Sequence, residues 1–316
     1  MRAWQYMGNR APIRLNEIPE PEPGPNQVLV EVRAAGLCHS DVMYMTEGDR
    51  AMPFLPMTQG HENAGVISGL GTGVTGFEIG EVVGICPSGV QPPMGMFTPG
   101  GFADKVITDY RDLVRVPEGL NLSLAALATD AGMTSYHAMI ETGGAKAGMK
   151  VGVIGFGGLG QVGARAAVLA GAQVHVAEVK REIWPIAEAA GVLSCVDDAA
   201  EWETDPLTGG DFDLVVDYAG FDTTQKALRA VKRGGKVVQV GLGRPEFTIN
   251  TPTILGRTLE GSLGGTVEDI EQVYALMLRG EITPVYTEIG FDEIGAGLAK
   301  LAANEVTGRL VARFGD

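Results

Sequence analysis

The sequence predicts an α/β protein in which a doubly wound parallel sheet is inserted into a mainly β domain. Three observations carry this. Short strand-like runs fill the first third, strand and helix then alternate, and about fifty residues remain after the alternation stops. Those last residues are too few for a further domain of ordinary size, so they are expected to return to the first one. The expected division is 1–131 with 264–316 for the mainly β domain and 132–263 for the insert.

In the first third, Arg2–Met7, Gln27–Ala35, Ala64–Leu70, Glu81–Cys86 and Ala103–Thr108 are runs with β-branched residues, bounded by Gly and Pro clusters. The connector IPEPEPGPNQ carries Pro19, Pro21, Pro23 and Pro25 and is therefore extended, not helical. Between Cys86 and Ala103 lies an irregular loop with four prolines. Residues Ser123–Gly143 read as helical. After them come strands at Val151–Ile154, Gln173–Ala177, Asp213–Asp217, Lys236–Val240 and Leu259–Leu263. The intervening helices, near Gly158–Ala170, Ile183–Ala190 and Thr223–Val231, are stopped by Gly171, Gly191 and Gly234. Such alternation means right-handed crossovers and a parallel sheet. Thr266 with Asp269 forms a capping-box pattern, and a helix at Asp292–Ala303 precedes a closing strand at Arg309–Phe314.

Composition narrows the function. A formal net charge of −15 with no basic run argues against a nucleic-acid partner. The longest apolar stretch, near Val151–Val176, is broken by glycines, Gln161, Arg165 and Gln173, so it is no membrane span. No basic segment and apolar stretch open the chain, so no secretory signal is expected. Cys38, Cys86 and Cys195 are too scattered for a disulfide framework, and a cytoplasmic, reducing setting is the simplest reading.

Within the insert, KVGVIGFGGLGQVG joins a buried strand to a helix through Gly155, Gly157 and Gly160, with Gly158 and Leu159 opening the helix. In a G-x-G-x-x-G turn the first glycine allows the tight turn, the second a close approach of backbone to pyrophosphate, the third close helix–strand packing. The helix N-terminus then offers N–H groups and a positive dipole end to the phosphates. A carboxylate ending the next strand would bind the adenosine ribose hydroxyls, and Glu178 stands there, eighteen residues after Gly160. Its charge would repel a 2′-phosphate, favouring NAD over NADP, although Lys180 and Arg181 follow directly. The insert is thus expected to be a Rossmann NAD-binding domain.

Cys38 in AGLCHSD and His61 in QGHENAG are unremarkable alone. With TDAGMTSYHA, GFGGLGQVG and the terminal GRLV, in that order, the chain resembles the zinc alcohol dehydrogenases of the medium-chain dehydrogenase/reductase family over essentially its whole length. The resemblance implies a GroES-like catalytic domain and metal ligands Cys38, His61 and Asp130, the last standing where most members have cysteine. One thiolate, one carboxylate and a neutral imidazole balance Zn²⁺ and leave its fourth position open. It further implies that Asp41 orients His61 and that Glu62 sits behind the metal. Ser40 would start a proton relay, His39 and Arg309 would approach the cofactor pyrophosphate, and Thr134 the nicotinamide carboxamide. Val240, Leu242 and Leu263 would complete the cofactor contacts.

Two departures from the family pattern stand out. Met43 occupies the place of a relay histidine, so the proton must leave through water or another group. The segment CPSGVQPPMGMFTPGG replaces a lobe with four closely spaced cysteines, so one catalytic zinc and no structural zinc is expected. Phe54, Met94, Met96 and Phe97 are either walls of an apolar pocket or core. The implied activity is hydride transfer between NAD(H) and a small to medium apolar alcohol, aldehyde or ketone, in a homo-oligomer, dimer or tetramer. Two alternatives stay open: a zinc-free quinone or enone reductase of the same fold, and a non-catalytic, cofactor-binding redox sensor.

Overall fold

The computed structural model describes residues 1–8, 10–47, 52–243 and 246–315. The chain divides into two compact units. Unit 1 is Met1–Ala131, Thr266–Arg279 and Val285–Asp316; unit 2 is Gly132–Gly265 and Gly280–Pro284. The sequence reading put all of 264–316 with the first unit. Residues 264–265 and 280–284 instead belong to the second, where Arg165 Nε donates to the carbonyl of Glu281 at 2.8 Å.

The first part of unit 1 comprises β1 (Arg2–Tyr6), β2 (Arg14–Glu17), β3 (Gln27–Leu37), α1 (His39–Glu47), β4 (Met57–Thr58), β5 (Glu62–Leu70), β6 (Val82–Ile85), β7 (Lys105–Asp109), β8 (Leu113–Arg115) and α2 (Leu122–Leu127). A π-helical turn, Ala128–Gly132, follows α2. Unit 2 continues with α3 (Met133–Tyr136), a second π-helical turn (His137–Thr142), β9 (Lys150–Ile154), α4 (Gly158–Leu169), β10 (Gln173–Ala177), α5 (Trp184–Ala189), β11 (Ser194–Val196), β12 (Phe212–Asp217), α6 (Thr224–Ala230), β13 (Val231–Gln239), α7 (Thr251–Ile254) and β14 (Thr258–Gly261). The chain then returns to unit 1 with α8 (Val267–Leu278), β15 (Tyr286–Gly290), α9 (Ile294–Ala302) and β16 (Arg309–Arg313).

In unit 1, β15, β16, β3, β5, β6 and β8 run side by side in that order, and β7 also pairs with β3. A smaller sheet has the order β2-β1-β4. The alternating apolar residues Val28, Val30 and Val32 of β3 pack with Ile67, Ile85, Phe102, Phe291 and Leu298 in one core. Strand register decides which polar groups meet at the end of this sheet. Gly36 of β3 stands opposite Glu62 of β5, and Leu37 opposite Leu310 of β16. Because both partners run antiparallel to β3, the end of β3 and the starts of β5 and β16 meet at one edge of the sheet. The residues just beyond those ends, Cys38 and His61, and the first residue of β16, Arg309, are thereby gathered without any long loop.

Unit 2 is a six-stranded sheet of order β11-β10-β9-β12-β13-β14, parallel throughout. Its central strands are buried on both faces, as the apolar runs KVGVI and FDLVVD require. Strand order reverses direction between β9 and β12, and the crevice at the carboxyl ends of those two strands is where such sheets bind ligands.

Candidate functional site

Three carboxylates, a thiol, an imidazole and a guanidinium converge at the strand ends of unit 1. Sγ of Cys38, a ring nitrogen of His61 and one carboxylate oxygen each of Glu62 and Asp130 all lie within 4.8 Å of one another. Cys38, His61 and Glu62 are buried, and Asp130 is half-buried. The imidazole is held at both nitrogens. Its Nδ1 stands 3.2 Å from Asp41 Oδ1, and its Nε2 stands 3.3 Å from Asp130 Oδ2. A proton on Nδ1, donated to Asp41, leaves the Nε2 lone pair for a metal on the Asp130 side. The other Asp41 oxygen accepts the backbone N–H of Cys38 at 3.0 Å, so one carboxylate orients two candidate ligands.

Asp130 arrives from a different element. The π-helical turn Ala128–Gly132 carries it, and Thr129 ties that turn to β5. The Thr129 hydroxyl donates to the carbonyl of Ala126 at 2.7 Å and accepts the backbone N–H of Asn63 at 3.1 Å. Single π turns inside helices mark functional positions often.

Arg309, expected at the pyrophosphate, has its guanidinium paired with Glu62, and both are buried. Gly36 makes room for this pair. A Cβ there would lie 1.9 Å from Oε2 of Glu62. That oxygen is buried without a hydrogen-bond partner among the described residues, so it keeps a lone pair for a further group.

The electrostatics of the cluster suit a bound cation. Burial alone would lower the His61 pKa, but the carboxylates of Asp41 and Asp130 outweigh it and hold it well above the ordinary value. Burial raises Glu62 above the usual carboxylate range, and Arg309 opposes that. Asp41, Glu62 and Asp130 face one guanidinium and one imidazole, so with the imidazole neutral, as a metal ligand is, the cluster carries surplus negative charge. Sulfur, imidazole nitrogen and carboxylate oxygen form a donor set that suits zinc. Cys86 and Cys195 offer no such thiolate, since burial pushes each thiol up to about 11.

Around this cluster, Ser40 Oγ lies 3.7 Å from Cys38 Sγ. His39 is exposed and opens α1, and Met43 is half-buried on the same helix. Met94 is wholly buried in the core, with its sulfur 3.4 Å from Asn63 Nδ2, so it is no pocket wall; Phe54 and Phe97 are exposed. The segment that stands in place of a cysteine-rich lobe is irregular but well tied. Gly100, Gly101 and Phe102 donate to the carbonyls of Thr58, Gly60 and Gln59, and Asp112 accepts from Val90 and Gln91.

Unit 2 presents the glycine turn. Gly155 has φ +83°, in the left-handed region, and a Cβ on Gly160 would lie 1.9 Å from the carbonyl oxygen of Gly155. Gly157 caps α4 with no side chain, and nothing stands within 4 Å of where its Cβ would be. The first N–H groups of a twelve-residue helix are therefore left for an anion, and the residues present fit a dinucleotide pyrophosphate. Glu178 closes β10 as expected, but its carboxylate is already engaged. One oxygen accepts the N–H of Phe156 in the turn at 2.7 Å, the other that of Lys180 at 2.8 Å. Thr134 and Val240 are buried, whereas Leu242 and Leu263 are exposed.

Some contributors escaped the sequence reading. Asp217, ending β12, accepts from the N–H groups of Ala219 and Gly220 and the hydroxyls of Thr223 and Thr224, and so shapes the loop beside the switch point. The run DYAGFDTT held that signal, since Asp before a glycine turn commonly binds backbone two and three residues on. Thr129 and Gly36 gave none, because their roles depend on partners far away in sequence.

Comparison with known proteins gives one answer. Residues 24–118 match the alcohol dehydrogenase GroES-like domain, and residues 158–279 the zinc-binding dehydrogenase family. An alcohol dehydrogenase of Geobacillus stearothermophilus is 30% identical, over 96% of this chain and 97% of its own. A probable cinnamyl alcohol dehydrogenase of Picea abies is also 30% identical, over 91% and 88%. Among solved structures, acetophenone reductase of Geotrichum candidum in complex with NAD superposes with a TM-score of 0.89 at 26% identity, covering 99% of this chain and 97% of its own. The alcohol dehydrogenase of the archaeon Aeropyrum pernix gives 0.91 at 26%, covering 99% and 100%. The chain belongs to the zinc-type alcohol dehydrogenases of the medium-chain dehydrogenase/reductase family.

Proposed function

We propose that this chain interconverts small to medium apolar alcohols with their aldehydes or ketones, using NAD(H) and a single zinc ion held by Cys38, His61 and Asp130. The convergence of four donor atoms within 4.8 Å in a buried place carries the reading. When bound, zinc supplies Lewis acidity toward the substrate oxygen, and NAD(H) supplies the hydride acceptor or donor.

The chain's own residues do the rest. Asp41 holds His61 in the tautomer that presents Nε2. Glu62, neutralised by Arg309, stays behind the ligands with one oxygen unclaimed. Ser40, beside Cys38, is placed to take the alcohol proton, and Met43 cannot pass it on, so it goes to solvent water. In unit 2 the uncapped start of α4 holds the pyrophosphate. Glu178 receives the adenosine ribose and, in the same orientation, secures the turn through Phe156. Thr134, Val240, Leu242 and Leu263 are the further cofactor contacts we assign; Arg309, engaged with Glu62, is withdrawn from the pyrophosphate role.

Only three cysteines occur in the chain, which supports one zinc rather than two. No helix among the described residues is long and apolar enough to cross a membrane. Cys38, Cys86 and Cys195, none of them in a disulfide, fit the cytoplasmic setting we infer. The exposed edge strand β14 and the exposed Leu255 and Leu263 support assembly into a dimer or tetramer. Purified protein should contain one zinc per chain and reduce NAD with an apolar alcohol. Turnover that persists in metal-free protein would instead favour the zinc-free reductase.

A further inference from the structure

We propose that Gln59 is a positioning residue of the metal centre, fixing through Asp41 where the His61 imidazole stands relative to Cys38. The inference rests on the reading that Cys38, His61 and Asp130 hold zinc.

Gln59 is wholly buried two residues before His61. Its backbone is pinned on both sides: its N–H donates to the carbonyl of Trp4 at 3.4 Å, and its carbonyl accepts from Phe102 at 2.8 Å. From that anchored place Nε2 donates to the backbone carbonyl of Asp41 at 3.2 Å. Oε1 is buried with no partner among the described residues. The orientation of the amide is settled by its partner, because a carbonyl accepts only and the flipped amide would set oxygen against oxygen. A buried amide satisfied at one end only is destabilising compared with an apolar side chain of the same size. Packing alone would therefore favour methionine or leucine here, and what the amide adds is the donor to Asp41.

Asp41 is the hinge of the arrangement. Its carboxylate faces His61 Nδ1 at 3.2 Å and accepts the Cys38 N–H at 3.0 Å. Those bonds set the direction of the imidazole only if Asp41 itself is fixed against the segment that carries His61. The Gln59 bond supplies that second tie, from the main chain of Asp41 to the residue two before His61. It closes a loop of hydrogen bonds through Gln59, Asp41 and His61, with Cys38 attached. Removing the donor takes away the tie between the main chain of Asp41 and that segment, and the sulfur–nitrogen spacing is then less narrowly set.

The test compares zinc-loaded wild type with Gln59→Met, which keeps the length and removes the donor, and Gln59→Glu, which places a carboxylate against the Asp41 carbonyl. Zinc affinity is measured by competition with a chromogenic chelator, and unfolding is followed with and without zinc. Supporting residues of metal sites are worth roughly 10–100-fold in affinity. Gln59→Met is expected to weaken zinc about tenfold, and Gln59→Glu more. A tenfold loss removes about 1.4 kcal/mol of zinc-induced stabilisation, so the gap between zinc-loaded and zinc-free melting temperatures narrows. The visible spectrum of the cobalt-substituted variant should also change. If Gln59→Met, or Gln59→Glu should the former not fold, binds zinc like wild type while both melting temperatures move in parallel, Gln59 only packs and the proposal is overturned. Wild type that binds no zinc overturns the underlying reading instead, which keeps the two failures apart.

Discussion

Asp130 brings a hard oxygen to a cluster whose other donors are sulfur and nitrogen. Its oxygen sits 3.3 Å from His61 Nε2, so a neutral imidazole that donates from Nδ1 to Asp41 sets a lone pair against that oxygen unless a cation stands between them. Asp130→Ala should therefore cost more than the roughly 10–100-fold of a supporting residue and leave the protein without stoichiometric zinc. NAD binding should stay within about twofold, an order-of-magnitude allowance for a contact this change does not touch. Metal analysis beside a fluorescence titration of NADH checks both, and retained zinc would remove Asp130 from the ligand set. Glu178 accepts the N–H groups of Phe156 and Lys180 and is assigned the ribose besides. A charge-assisted hydrogen bond is worth about 1.5–3 kcal/mol, so Glu178→Ala should weaken NAD about tenfold or more and NADP much less. Equal weakening would mean that the carboxylate only braces the turn.

Elements with a clear apolar or capping pattern were legible, and those without one were hidden. Gln173–Ala177 was readable to the residue because apolar side chains alternate through a central strand. The capping box at the start of α8 was readable because Thr266 and Asp269 are local partners, and both bonds are present. By contrast β2, with the sequence RLNE, is an exposed edge strand with no alternation to read. Helix α1 begins inside the GLCHSD motif and has no apolar stripe, and β11 is only three residues long. Ser123–Gly143 reads as one helical stretch, and nothing in sequence announces the π turn that carries Asp130. Thr129 ties that turn to Asn63, sixty-six residues away in sequence. That Cys38, His61 and Asp130 would meet was legible in their motifs; the pairing of Arg309 with Glu62 was not, since only strand register brings them together. At this scale Gly160→Ala is the informative change. Its Cβ would meet a backbone oxygen, which cannot turn aside, so overpacking should cost about 1–3 kcal/mol in denaturant unfolding and abolish the turn's hold on NAD. An unaltered midpoint would show that the turn can open.

For the whole molecule, alkaline stability has a definite sign. Burial lifts Cys86 from its ordinary 9.0 to about 11. A folded-state pKa above the unfolded one gives stability that is complete below pH 9 and is lost as pH rises through 11. Other groups titrate in that range, so the comparison is with Cys86→Ala. The wild type should lose on the order of 2 kcal/mol more than the variant between pH 9 and 11, at about 1.4 kcal/mol per pH unit. Parallel curves would mean that the thiol is hydrated. The candidate metal cluster, by contrast, draws on both ends of the chain within unit 1: Cys38 and His61 come from its start, and Arg309, paired with Glu62, from its last strand. That makes metal content the direct test. Purified protein should hold one zinc per chain, lose alcohol-dependent NADH formation when the metal is stripped, and regain it when one equivalent of zinc is returned. Undiminished turnover in the stripped protein would contradict a zinc-dependent reaction at this site.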